Sequence, residues 1–222
     1  MTLKMIQEEE ASKEQRIDDY IASHSDEQPP WLVQNYRETA LHVINPRMAS
    51  GHVQGRVLKM ITRMIKPKNI LEIGTFTGYS ALCFAEGLPK GGHVDTLEIN
   101  DEQENFIHKM LALSPYENQI TLHIGNALDL IPKLKPDYDL VFMDADKRLY
   151  QQYYDLLLPR LPHGAFILAD NTLWDGKVIS PPHKMDAQTR ALMAFNTALK
   201  EDKRVEKVIL PIRDGLTLVY KI

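Results

Sequence analysis

Two short runs, Met143-Asp144-Ala145-Asp146-Lys147 and Asp170-Asn171, set oxygen donors and one amine where a cation-assisted proton transfer could take place. Each follows an apolar segment that reads as a strand, Tyr138 to Met143 and Ala165 to Ala169. Parallel neighbours lie ~4.8 Å apart and ligands bind beyond the carboxyl ends of such strands, so Asp144 and Asp170 can converge there. Two carboxylates that close must share a cation or a proton. Asp, Asp and Asn form a hard, all-oxygen donor set that suits Mg²⁺, or another hard dication such as Mn²⁺ or Ca²⁺, whereas zinc would prefer His or Cys. Either run alone reads equally as a turn or an Asx cap after a strand. Lys147 lies three residues beyond Asp144; near a dication its protonated form is disfavoured, so it can act as a general base, while by itself it is an ordinary lysine opening a helix.

A second loop stands beside these. Asn69 to Ile73 suits a buried strand, and Gly74-Thr75-Phe76-Thr77-Gly78 then leads into a short apolar helix, Ser80 to Gly87. A dinucleotide fold spaces its glycines Gly-x-Gly-x-x-Gly so that backbone can press on a pyrophosphate; the Gly74-x-x-x-Gly78 spacing does not favour one, which argues against an NAD-dependent oxidoreductase. Glu72 puts a carboxylate where phosphate would be repelled and an ammonium or sulfonium attracted. His93 to Ile99 reads as the next strand and presents Glu98 at the distance expected of a ribose-binding acid. Ribose without phosphate, next to positive charge, points to S-adenosylmethionine. Taken apart, the same features are a turn and a solvated strand end.

Strand and helix alternate from Asn69 onward, the pattern of a parallel sheet covered on both faces. Strands are expected at 69–73, 93–99, 120–124, 138–143 and 165–169. A helix from an Asp101/Glu104 capping box runs to about Ser114, a short helix follows Gly125-Asn126-Ala127, and Tyr150 to Leu158 is the crossover helix. A helix near Ala187 to Leu199 precedes strands 205–210 and 216–222, which the Arg213-Asp214-Gly215 turn should make antiparallel. Ahead of the sheet, residues 4–24 and Trp31 to Val43 read as helices broken by Pro29-Pro30, a peripheral cap or dimer arm over residues 1–45. After a short Met48–His52 loop, Val57, Leu58, Ile61, Met64 and Ile65 mark a helix expected on the first strand.

The remaining features bound the function. The 222 residues suffice for one core, so one domain over 1–222 is expected; 44% apolar and 25% charged content is ordinary for a globular protein. A net charge of −4 gives no footprint for nucleic acid or an anionic membrane, and no apolar run is long enough to span a bilayer. With one cysteine, Cys83, among apolar residues, neither a disulfide nor a thiolate metal site is expected, and a cytoplasmic location follows. Trp174 and Tyr79 could pack on a flat substrate, though aromatics beside a crevice are often plain wall. His52, His163 and His183 lack ligand spacing and read as loop residues.

The runs Leu71 to Ser80, Phe142 to Lys147 and Leu168 to Trp174 together resemble the cation-dependent O-methyltransferases of the caffeoyl-CoA and catechol group, over about residues 45–222. The resemblance implies a doubly wound, Rossmann-like class I methyltransferase sheet, five parallel strands with an antiparallel C-terminal pair. It implies Asp144, Asp170 and Asn171 as metal ligands and Lys147 as general base. Glu98 would hold the ribose hydroxyls; Ser50, Glu72, Gly74, Thr75 and Ser80 would surround the methionine end, with Ala127 and Asp146 as further cofactor contacts. Family members are typically homodimers. Plant members that use CoA thioesters carry Asn-Gly after the tryptophan, where this chain has Asp175-Gly176, and its acidic leader lacks basic contacts to CoA. A small catechol-type phenolic is therefore the expected acceptor. A tRNA 5-hydroxyuridine and a caffeoyl-CoA-type thioester are the alternatives, and Gly176 to Asp186 is expected to rim the acceptor.

Overall fold

A computed structural model describes residues 13, 15–135, 137–181, 183 and 185–222. A first helix, α1, covers residues 15–23; the start of the expected 4–24 helix lies outside the described residues. The second, α2, is Pro30–His42, with Pro30 in the first turn, where its missing N–H costs nothing. After α2, Asn45 is left-handed (φ 57°) and a single 3₁₀ turn, Pro46–Met48, leads to Ser50. Helix α3, Gly51–Ile65, begins earlier than the sequence suggested, so His52 is helical and bonds the Asp26 carbonyl at 2.7 Å.

The sheet then forms as expected. Strands β1 (Asn69–Ile73), β2 (His93–Glu98), β3 (Ile120–Ile124), β4 (Leu140–Met143) and β5 (Phe166–Ala169) are parallel, and β6 (Val205–Leu210) and β7 (Leu216–Lys221) run as an antiparallel hairpin beside β5. Strand order is β3-β2-β1-β4-β5-β7-β6. The order reverses between β1 and β4, so the crevice opens above their carboxyl ends.

Alternation along each central strand feeds two apolar layers, because successive side chains point to opposite faces. Leu71, Ile73, Val141, Met143 and Ile167 face one layer with Tyr150, Tyr154 and Phe195; Ile70, Leu140, Phe142 and Leu168 face the other with Leu58, Leu82 and Phe84. Both faces are dry, so these strands read as continuous apolar runs, each fully buried Leu or Ile contributing roughly 1.5–3 kcal/mol. Helix α4, Tyr79–Gly87, is buried almost all round because α3 covers its outer side. The main partner of α3 is thus α4 rather than β1, and Arg56 and Lys59 on α3 clasp Glu86 on α4 at 2.8 and 2.5 Å.

The other helices are α5 (Glu104–Leu111), α6 (Ala127–Leu130), α7 (Tyr150–Leu157) and α8 (Ala187–Glu201). The expected Asp101/Glu104 capping box is not used. Asn100 takes the cap role instead, its side chain accepting from the Glu102 N–H ahead of a 3₁₀ turn that leads into α5. Among the described residues no helix is long and apolar enough to cross a membrane.

Candidate functional site

The glycine loop packs so close to β4 that it admits no side chain at its first position. Gly74 has φ 101°, and a Cβ there would overlap the Asp144 carbonyl oxygen. The N–H groups of Gly74 and Thr75 both reach the Leu97 carbonyl, at 2.9 and 3.1 Å, tying the loop to the end of β2. Three parallel strands thereby deliver Glu72, Glu98 and Asp144 to one rim.

Glu72 lies fully buried beneath that rim. The Thr96 hydroxyl donates to its Oε2 at 2.5 Å, and the Thr75 hydroxyl bonds that of Thr96 at 2.6 Å, so the two threonines form a relay onto the carboxylate. Burial pushes the Glu72 carboxyl up to about 8, opposed by the Ser80 and Thr96 hydroxyls and reinforced by Asp144 and Glu98. Its Oε1 has no hydrogen-bond partner in reach among the described residues. A buried carboxylate oxygen left unpaired is costly unless a cation or donor completes it. An ammonium group entering the crevice, such as that of a methionine moiety, fits this gap.

Glu98 is nearly buried and binds backbone, its Oε2 accepting from the Phe76 N–H at 2.8 Å and its Oε1 from that of Asn100 at 2.9 Å. Phe76 has φ 51°, so the loop is bent to meet Glu98. Each oxygen keeps a further lone pair for a vicinal diol. Ser80 sits in the first turn of α4, with Gly78 as N-cap, and Ala127 opens α6, capped by Asn126. Asp146 lies in the loop after β4. Arg148 grips its carboxylate and holds it below the usual range, and Asp146 in turn caps the Arg148 N–H at 3.0 Å. Ser50, nearly buried ahead of α3, is fixed by its carbonyl, which accepts from Arg213 at 2.7 Å.

The second half of the site is the pair of strand ends β4 and β5. The Asp170 N–H bonds the Met143 carbonyl at 3.0 Å, so Asp144 and Asp170 begin at the ends of adjacent strands. Burial, then the charge of Asp144, pushes the Asp170 carboxyl up to about 6. Asn171 follows with left-handed backbone (φ 58°), its N–H donating to Asp170 Oδ1 at 2.8 Å. Two carboxylates that repel each other, with Asn171 next in sequence, are donors that a hard dication would relieve, so these residue types fit such an ion. Among the described residues no three of the types His, Cys, Asp and Glu gather into one metal cluster; this set has two carboxylates and an amide.

Lys147, only 5% exposed, aims its Nζ at Asp144 Oδ1 (2.9 Å) and at the Tyr150 hydroxyl (2.7 Å), and it lies 5.9 Å from the Trp174 ring centre. Tyr150 is buried, with its hydroxyl against the carbonyls of Met143 (2.8 Å) and Asp170 (3.0 Å). Trp174 therefore stands beside Lys147. Tyr79 does not: it is 2% exposed, its hydroxyl donating to Gln28 Oε1 at 2.6 Å, so it is core and no platform for a substrate. Cys83 is fully buried, and burial pushes its thiol up to about 12, which makes it packing.

Sequence reasoning missed Thr96, Tyr150, Gln54 and Arg213. Tyr150 is three residues beyond Lys147, on the same helical face, a spacing that could have flagged it. Gln54 stands four before the buried Leu58, a polar side chain on the apolar stripe of α3.

The chain matches the O-methyltransferase family over residues 22–222. It is 35% identical over 197 residues to caffeoyl-CoA O-methyltransferase 1 of Eucalyptus globulus, covering 83% of this chain and 78% of that one. With caffeoyl-CoA O-methyltransferase 1 of Nicotiana tabacum it shares 35% over 198 residues, covering 83% and 81%. Among solved structures, the S-adenosylhomocysteine-bound Podospora anserina methyltransferase PaMTH1 superposes with a TM-score of 0.88 at 28% identity, covering 95% of this chain and 96% of that one. The O-methyltransferase TomG of Streptomyces achromogenes, bound to S-adenosylmethionine, gives 0.85 at 27%, covering 93% and 96%. Extent, identity and superposition agree with the crevice geometry: the chain belongs to the O-methyltransferase family.

Proposed function

We propose that this protein transfers the methyl group of S-adenosylmethionine to one hydroxyl of a vicinal, catechol-type phenolic, with a divalent cation such as Mg²⁺ bound in the site. The observation that carries the donor is the unpaired, buried Glu72 Oε1 beneath a loop with no room for a Cβ at Gly74. The structures solved with this donor or its product among the relatives support the same reading. Glu72 accepts the donor's ammonium, Glu98 takes the ribose hydroxyls on its free lone pairs, and Ser50, Gly74, Thr75, Ser80, Ala127 and Asp146 line the remainder.

Asp144, Asp170 and Asn171 would hold the dication, whose charge lowers the pKa of a hydroxyl oxygen and orients it. Lys147 Nζ, pinned by Tyr150 and Asp144, takes the proton of that hydroxyl. The crevice between β1 and β4 would bring the acceptor oxygen and the methyl group together, replacing a bimolecular encounter. Trp174 walls the acceptor side against water. A homodimer in the cytoplasm is part of the same reading.

A caffeoyl-CoA-type thioester is the second reading, supported by the 35% identity to the plant enzymes. A methylation screen with a free catechol such as caffeate, with caffeoyl-CoA and with undermodified tRNA, each with Mg²⁺ and with EDTA, separates them. The free catechol should be methylated, and Asp144→Ala, Asp170→Ala or Asn171→Ala should abolish turnover while donor binding persists. Full activity in EDTA, or in those variants, would end the cation assignment; methylation of the thioester or tRNA alone would move the acceptor.

A further inference from the structure

One polar chain, buried at Gln54 and exposed at Arg213, joins the donor side of the crevice to the carboxylate side. Gln54, 1% exposed on α3, donates from Nε2 to Asp170 Oδ2 at 2.6 Å. Its Oε1 accepts from Arg213 at 2.5 Å. The same guanidinium nitrogen of Arg213 donates to the Ser50 carbonyl at 2.7 Å and to that of Ala49 at 3.3 Å. Arginine can only donate and a carboxylate can only accept, so the amide orientation of Gln54 is dictated by its neighbours. Arg213 is presented from the β6–β7 turn in left-handed backbone (φ 47°), a conformation that the surrounding bonds must hold in place. The turn is itself fastened beneath the Asp170 loop: the Thr172 N–H bonds the Gly215 carbonyl and the Leu173 N–H that of Asp214, both at 2.9 Å.

We propose that Gln54 is a positioning residue that fixes Asp170 Oδ2 for the cation, and that Arg213 clamps Gln54 and the Ala49–Ser50 backbone together, so that donor pocket and cation site share one support. The proposal rests on the cation reading above. A carboxylate with one oxygen held by the Asn171 N–H and the other by Gln54 has a single orientation; without Gln54 it can rotate toward Lys147 or solvent. Ligands outside the direct shell that orient a coordinating group typically alter metal affinity 10–100-fold.

The test is Mn²⁺ binding followed by electron paramagnetic resonance, with S-adenosylmethionine affinity measured separately by calorimetry. Gln54→Met keeps the side-chain volume and should weaken Mn²⁺ about 10–100-fold, leaving donor affinity near that of the wild type while the lost buried hydrogen bonds lower the melting temperature. Arg213→Met should weaken both ligands, because it releases the Ser50 carbonyl as well. Gln54→Glu, which sets a carboxylate against Asp170, should alter the Mn²⁺ line shape without restoring the wild-type spectrum. Wild-type Mn²⁺ affinity and line shape in Gln54→Met would overturn the positioning role alone. No Mn²⁺ binding by the wild-type protein would overturn the cation reading and this role with it.

Discussion

Lys147 Nζ donates to the Tyr150 hydroxyl at 2.7 Å, and that hydroxyl rests on two backbone carbonyls from β4 and the end of β5. Lys147 Nζ is thus held by the sheet itself rather than by its own flexible stem. Tyr150→Phe removes the hold while filling the same space. Its kcat should fall between about 10-fold and 100-fold, since small displacements of a reacting group are costly. Leaving the Asp170 carbonyl short of a donor, while the Met143 carbonyl keeps the Asp170 N–H, should cost about 1–3 kcal/mol of stability. Steady-state kinetics on caffeate and urea denaturation check both; an unchanged kcat would show that Tyr150 does not position Lys147.

Glu72 carries a pH dependence of definite sign. Its carboxyl is pushed up to about 8, chiefly by burial, while an unfolded glutamate titrates near 4.3. Between those values the folded chain keeps a proton that the unfolded chain has lost, so this group lowers stability progressively as pH rises through the window. Glu72→Gln removes the term and should gain on the wild type from pH 5 to pH 9 in denaturant titrations. Parallel slopes for the two proteins would show that the carboxyl is not held neutral.

Binding of the donor should report the same group from the other side. Its ammonium favours the ionised carboxylate, so binding near pH 7 should release protons and tighten as pH climbs toward 8. Calorimetry in two buffers of different ionisation enthalpy measures the release. Zero release would break the contact assigned to Glu72.

Gly74→Ala and Gly91→Ala separate crowding from backbone conformation. Both glycines have positive φ, 101° and 82°, but a Cβ at Gly91 meets nothing, whereas one at Gly74 meets the Asp144 carbonyl. The backbone term alone should cost about 1–3 kcal/mol at either site. Gly74→Ala should cost more than that and also abolish donor binding, read by thermal shift with and without S-adenosylmethionine. Equal losses in the two variants would mean that the loop can move off β4.

Helix α2 should tune the donor loop from outside the sheet. The Asn35 side chain donates to the Thr77 carbonyl at 2.8 Å, and the Thr39 hydroxyl donates to that of Thr77 at 3.0 Å. Asn35→Leu should therefore weaken donor affinity several-fold and lower stability by about 1–3 kcal/mol, because a buried carbonyl loses its partner. Wild-type affinity in this variant would confine α2 to a covering role.

Much of this was legible along the chain. Apolar runs of four to six residues followed by Glu72-Ile73-Gly74, Asp144 or Asp170 announce strands that end in chemistry, because burial on both faces and the need for glycine act over a few neighbouring residues. The same locality explains the slips. Asn100 displaced Asp101 as cap because the chain leaves β2 in extended backbone one residue earlier, and Tyr79 became core because α3 covers α4.

What the amino-acid order determined by itself is the alternation of strands and helices and the two loops that carry Glu72, Asp144 and Asp170. Only the tertiary structure decided which groups support them. Gln54 and Asp170 lie 116 residues apart, Arg213 and Gln54 159. No periodicity spans such separations; the contacts exist because the hairpin of β6 and β7 closes the sheet beside β5 and brings its turn beneath the start of α3.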